Sequence, residues 1–236
     1  MKLSDVSEDW YLGSPMRSTI RYMLETGYEQ WGFLIYRCTY GDDDAWDSYM
    51  AYLREEVHSD LDHSGCDVLL EQYARWTVVE DESLLDGASK DQVRRRFVAW
   101  RDRHSDSVFQ WPPPRARQPR FAYCLYVDQK CLDTLHPHVE AKSAANRRDR
   151  PPPPLVAAVI DGDFHEGRFD SHAREGETYP PVEGCAKKYV GWQYYSARCL
   201  AGLYENLQIE HMDGYFSYQR PPAIGPWCSR SMDDLV

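Results

Sequence analysis

Trp31-Gly32-Phe33-Leu34-Ile35-Tyr36-Arg37-Cys38-Thr39 is the stretch that decides the fold. Aromatic and β-branched residues fill it, which predicts a strand. Gly41-Asp42-Asp43-Asp44 then turns the chain. Trp46, Tyr49, Met50, Leu53 and Val57 recur at helical spacing and predict a helix with one buried stripe. A strand that feeds an amphipathic helix is the opening of a layered α/β or α+β domain.

The same alternation extends outward. Ala74 to Val79 predicts a second strand, and Ser89-Lys90-Asp91-Gln92 has capping-box spacing at the start of a second helix. Val93, Phe97 and Trp100 mark the apolar face of that helix. Arg120 to Val127 predicts a third strand ending on Asp128, followed by a short helix with Cys131, Leu132 and Leu135 inward. Leu155 to Ile160 is a continuous apolar run, as in a strand buried on both faces. Tyr189 to Tyr195 predicts a fifth strand, and Ala197 to Leu207 a last helix. Upstream, Ser14-Pro15 opens a helix that Gly27 closes. The tail reads as irregular. The expectation is a single domain over residues 1–236, with a central mixed sheet of about five strands and flanking helices. Ferredoxin-like and Rossmann-like strand orders both fit. Two Pro/Arg-rich excursions interrupt the pattern, at about 105–119 and 136–154. Proline stiffens the first, and the second reads as a loop.

Apolar residues make up 42% of the 236, enough for a packed core. The longest apolar run is far too short to cross a bilayer. The start, Met1-Lys2-Leu3-Ser4-Asp5, lacks the apolar stretch of a signal peptide. The seven cysteines form no Cys-x-x-Cys pair, which argues against a disulfide framework and a structural zinc site. These features predict a cytoplasmic protein with neither a membrane nor DNA as partner. No cofactor or metal is expected. Cys124 and Cys199 are the candidates for a catalytic thiol.

Charge is sorted along the chain. Residues 1–93 carry 7 Lys/Arg against 20 Asp/Glu, residues 94–150 carry 13 against 6, and residues 151–236 carry 7 against 12. An acidic wall can hold a guanidinium, and a basic arm can hold RNA. Solvated faces would carry the same charges without either role. The familiar nucleotide-binding and hydrolase motifs are absent.

Asp43, Asp44 and Asp47 stand at a helix start, with Asp43 and Asp47 on one face. Paired carboxylates there can bind Mg²⁺, an ammonium or a guanidinium. The helix dipole alone also favours acids there. Glu80 and Asp128 end strands and would share an acidic pocket if those ends lie on one side of the sheet. Asp128 fits equally as an N-cap. Asp161, Asp163, His165, Glu166, Asp170 and His172 offer mixed metal ligands without the spacing of a known triad. Arg94, Arg95, Arg96, Arg101, Arg115 and Arg117, with Arg103 and Arg120, form a basic arm. Trp100, Phe109 and Trp111 lie among them, a mixture suited to RNA phosphates and unstacked bases. Arg94, Arg95 and Arg96 are consecutive and fan over about 200°, so not all can face solvent freely.

Trp31–Arg37, Val78–Gly87, Arg120–Asp128 and the pair Gly191-Trp192 resemble segments of the fungal arginine-containing cyclodipeptide synthases. The resemblance spans most of the chain. It implies an enzyme that joins arginine and a second amino acid, both delivered on tRNA, into a diketopiperazine. Aminoacyl-tRNAs, arginyl-tRNA among them, would be the partners. That family carries an acidic Asp-Asp-x-x-Glu motif; the nearest string here is Asp43-Asp44-x-x-Asp47. On this reading Asp43, Asp44 and Asp47 are catalytic, Glu80 and Asp128 bind substrate, and the arginines of the basic arm bind RNA. Two other readings compete. One is a non-enzymatic interaction protein using the basic Pro-rich loop. The other is an enzyme built on the acids and histidines of 161–172.

Overall fold

The chain opens with two helices, α1 (Glu8–Leu12) and α2 (Arg17–Thr26), ahead of strand β1 (Leu34–Arg37). Helices α3 (Asp43–His63) and α4 (Asp67–Leu70) lead to β2 (Thr77–Val79). Then come α5 (Glu82–Leu85), α6 (Lys90–His104), α7 (Pro119–Ala122) and β3 (Tyr123–Val127). The second half runs through α8 (Gln129–Asp133), α9 (Leu135–Ser143), β4 (Val156–Asp161), β5 (Trp192–Ser196), α10 (Leu200–Leu207) and β6 (Ile224–Gly225). This computed structural model describes residues 1–104, 118–144, 152–165, 177–214, 218–226 and 230–235.

The strands form one mixed sheet in the order β2-β1-β3-β4-β5-β6. β2, β1 and β3 are parallel, β4 is antiparallel to β3 and β5, and β6 runs parallel to β5. The fold is therefore α/β. β2 lies on one side of β1 and β3 on the other, which is the doubly wound order and not the ferredoxin-like one. The sixth strand is two residues long, and Tyr194 pairs with Ile224 across a wide sequence gap.

Side-chain alternation assigns the two faces. On one face Phe33 packs edge-on against Tyr204 of α10, and Arg37 lies over Trp46 of α3. Tyr49 of α3 donates its hydroxyl to the Val156 carbonyl at 2.6 Å. On the other face Tyr36, Tyr126, Ala158 and Tyr194 form one cross-strand row. Tyr126 donates to the Ala88 carbonyl at 2.9 Å, and Lys90 of α6 lies over its ring. All five predicted stripe residues of α3 are buried.

Local signals set several boundaries. The Asp42 carboxylate accepts from Ala45 N and caps α3. Ser89 and Gln92 exchange side-chain bonds across the start of α6. Gly27 ends α2 at φ +66°. The start of α2 differs from expectation. Met16 holds the cap position without a side-chain bond, and Ser14 Oγ accepts from Met16 N instead. β3 starts at Tyr123, later than predicted, because Pro119 opens the helical turn α7. Gly191, at φ +76°, lies so close to the Phe164 ring that any Cβ would run into it.

The second excursion is not a loop throughout, since α9 occupies its first part. A charged cluster fastens α9 to α3. Buried Glu56 faces His138 Nε2 at 3.5 Å and Lys142 Nζ at 2.6 Å, and His138 Nδ1 lies 2.8 Å from the Pro153 carbonyl. His138 and Lys142 hold the Glu56 carboxyl down at about 2, against the pull of burial. A carboxylate whose folded value is depressed stabilises the fold above its ordinary range and loses that contribution as pH falls toward the folded value. Between pH 5 and pH 3 the chain should lose about 2 kcal/mol through this group. Urea unfolding at both pH values checks it: Glu56→Gln should be weaker at pH 5 and lose less on acidification. Parallel losses in the two proteins would remove Glu56 as the titrating group.

Candidate functional site

Because β1, β2 and β3 are parallel, their carboxyl ends share one edge of the sheet, the usual place for sites in such folds. The β1–α3 loop folds over that edge. Thr39 Oγ1 donates to Gln129 Oε1 at 2.6 Å and ties the ends of β1 and β3 together. Arg37 lies beneath, 6% exposed. Its Nε donates to the Thr39 carbonyl at 2.9 Å. Its guanidinium pairs with Asp43 and, at 3.5 Å, with Glu80. The rings of Tyr40 and Trp46 lie 4.5 Å and 5.0 Å from its centre. Burial raises the Tyr40 hydroxyl, which accepts from Asp81 N at 2.8 Å.

Two of the carboxylates chosen from sequence therefore meet on one guanidinium. The contacts run to Asp43 Oδ1 and Glu80 Oε1, and the Asp43 and Glu80 side chains remain 82% and 50% exposed. Asp44 and Asp47 are exposed and make no ion pair among the described residues. Asp128 does not join them. Its Oδ1 accepts from Cys131 N at 3.0 Å, so it caps α8. The pocket expected of Glu80 and Asp128 is thus corrected: Glu80 meets Asp43 on Arg37, and Asp128 caps α8. Chemically this edge is a guanidinium cradle floored by the chain's own arginine, with carboxylate surface left on its rim.

The basic arm is smaller than expected. Arg94 is buried and donates to the carbonyls of Asp161 at 2.9 Å and Gly191 at 3.2 Å, so it is no RNA contact. One of three consecutive arginines on a packed helix had to point inward, and this one does. Arg95 is exposed and pairs with Asp91, Arg96 is half-buried, and Arg101 pairs with Asp163 at 2.6 Å. Arg103 is exposed. Arg120 is buried, donating to the Gly32 carbonyl and Thr77 Oγ1. Trp100 stacks with Phe121 and His104 and does not offer a free face as expected. Arg115, Arg117, Phe109 and Trp111 lie outside the described residues.

Other candidates fare differently. Cys124 is fully buried, and burial pushes its thiol well above the ordinary range, which unsuits it as a nucleophile. Cys199 is half-buried. Asp161 accepts from the Tyr189 hydroxyl at 2.6 Å, and Asp163 is taken by Arg101. His165 is exposed. Among the described residues no three potential ligands gather for a metal, and Glu166, Asp170 and His172 lie outside them.

Sequence reasoning also missed a cavity. A cavity of about 140 Å³ beside α6 is lined by Lys90, Glu183 and Trp192. Lys90 is buried, 2.7 Å from Glu183 and 4.1 Å from the centre of the Trp192 ring. Glu183 holds φ +49°, uncommon for a residue other than glycine. The only local signal was Ser89-Lys90-Asp91-Gln92, which reads as a cap and hides the lysine. Among the described residues no helix is long and apolar enough to cross a membrane. Comparison with protein-family models, curated proteins and solved structures gives no significant match.

Proposed function

We propose that this protein joins arginine and a second amino acid into a cyclic dipeptide, taking both from aminoacyl-tRNAs. The observation that carries the reading is the bracketing of a guanidinium by Asp43 and Glu80 at the carboxyl edge of the parallel strands. In the proposed complex an arginyl side chain lies on the outer oxygens of the same two carboxylates, above Arg37. Charge-assisted pairs of this kind are the strong ones.

The chemistry needs placement more than activation. The α-amine of one aminoacyl group attacks the ester carbonyl of the other, an amide forms, and the tRNA 3′ oxygen leaves with a proton. The second amine then attacks the remaining ester carbonyl, closes the six-membered ring and releases the second tRNA. Asp44 and Asp47 are the carboxylates left to take the amine protons. Arg96 and Arg103 are the described arginines of α6 left to meet RNA phosphates, and exposed Arg95 joins them by giving up Asp91.

Expression in a bacterial host should release a new arginine-containing diketopiperazine, detectable by mass spectrometry of the medium. Asp43→Asn combined with Glu80→Gln should lower its yield on the order of 100-fold, as expected for misplacement of a reacting group. Circular dichroism should show both proteins folded. Soluble wild-type protein that repeatedly yields no such product would sink the proposal.

A further inference from the structure

Two of the seven basic residues in the acidic first 93 positions meet at one place. α3 and the segment that enters β2 enclose a cleft of about 350 Å³, within the range of small-molecule sites. Val57 and Leu61 of α3 form an apolar floor, and the half-buried indole of Trp76 forms a wall. That indole is fixed from behind, edge-on to Trp31 at 5.7 Å and tilted on Phe33 at 6.0 Å. Arg54 and Arg75 stand exposed on the rim. Arg75 donates to the carbonyls of Gln72 and Ala74, which hold the side chain in place without neutralising it. Neither arginine has a carboxylate partner among the described residues; the rim acid Glu71 lies 3.2 Å from His58 Nδ1.

We infer that this cleft binds a nucleoside monophosphate unit, with the base against Trp76 and the phosphate on Arg54 and Arg75. An aromatic wall over an apolar floor suits a planar ring, since every base has a face that stacks on an aromatic side chain. Two guanidinium groups without a carboxylate partner among the described residues match a phosphate monoester of nearly two negative charges better than a single carboxylate. Inorganic phosphate alone would leave the apolar floor uncovered. The cleft lies at the amino end of β2, whereas Glu80 and the guanidinium cradle lie at its carboxyl end. The two places are separate, and the inference does not rest on the proposed reaction.

Calorimetric titration of the full chain with adenosine monophosphate tests it. Saturable binding at one site is expected, with inorganic phosphate and adenosine each binding more weakly. Arg54→Ala combined with Arg75→Ala should weaken binding at least tenfold, and Trp76→Leu should also weaken it. Both arginines are exposed, so the double variant should keep the wild-type circular dichroism spectrum. A single-stranded trinucleotide that binds tighter than the mononucleotide assigns the cleft to an RNA strand, and weaker or equal binding assigns it to a free nucleotide. No binding of adenosine monophosphate, undiminished binding by the double variant, or equal binding of phenyl phosphate overturns the inference. Cyclic dipeptide formation is scored separately, so failure of either idea leaves the other readable.

Discussion

Glu205→Ala should lower the melting temperature by roughly 8–16 °C, the shift that about 4 kcal/mol produces in a chain of this length. Glu205 is 6% exposed and belongs to α10, yet its carboxylate serves α2. Its oxygens accept from Ser18 N at 2.7 Å, Thr19 N at 2.8 Å and Thr19 Oγ1 at 2.8 Å. Helix starts leave such N–H groups without partners, and the cap position of α2 offers no side-chain bond of its own. A negative charge there also meets the positive end of the helix dipole. Alanine removes three charge-assisted bonds at once and leaves buried donors unpaired, at about 1–3 kcal/mol each before relaxation. Glu205→Gln keeps the shape and one acceptor, so its loss should be intermediate. Differential scanning calorimetry reads the order directly. An alanine variant that melts within about 2 °C of wild type would show that water or another group caps α2, since that shift corresponds to less than about 1 kcal/mol.

The same residue shows where reading the sequence stops. Glu205 sits among Leu200, Leu203, Tyr204 and Leu207, and nothing within one turn explains an acid on that buried stripe. Its partners are 186 and 187 positions away. What was legible was local: the stripe of α3, the reciprocal cap of α6, the Gly27 stop and five of the six strands. These depend on spacing within a few residues. β6 was not legible because two residues carry no periodicity, and its pairing depends on where β5 lies. The candidate site divides likewise. Asp43 and Glu80 could be named as strand-end and helix-start acids, but their meeting on Arg37 could not, because it needs β1 and β2 side by side. Asp128 was named as pocket or cap, and its three-residue reach to Cys131 N decides for the cap. Arg94 was the converse case, since the fan of three arginines required an inward member without saying which.

Glu183→Ala should destabilise the chain by about 3 kcal/mol, and Lys90→Met by about 1 kcal/mol or less. The asymmetry follows from burial. Lys90 is 5% exposed, with its ammonium between Glu183 and the rings of Tyr126 and Trp192. Removing Glu183 strands that charge, with only the small cavity beside it to admit water. Ring faces attract a cation by about 2 kcal/mol when desolvated, too little to replace both a carboxylate and lost hydration. The Glu183 side chain, 49% exposed, keeps the expected loss at the low end of about 3–5 kcal/mol for breaking a buried pair. Removing Lys90 works the other way. Glu183 can turn into solvent, and methionine keeps the stem and sets a sulfur against the aromatic rings. Alanine and glutamate face the same demand at φ +49°, so the backbone contributes little to the comparison. The double variant should then resemble Lys90→Met alone, because without the lysine Glu183 has no buried charge to neutralise. Urea unfolding of the four proteins closes the cycle. If Lys90→Met proves the more damaging single change, the ammonium itself holds the cage together and Glu183 is only an exposed neighbour.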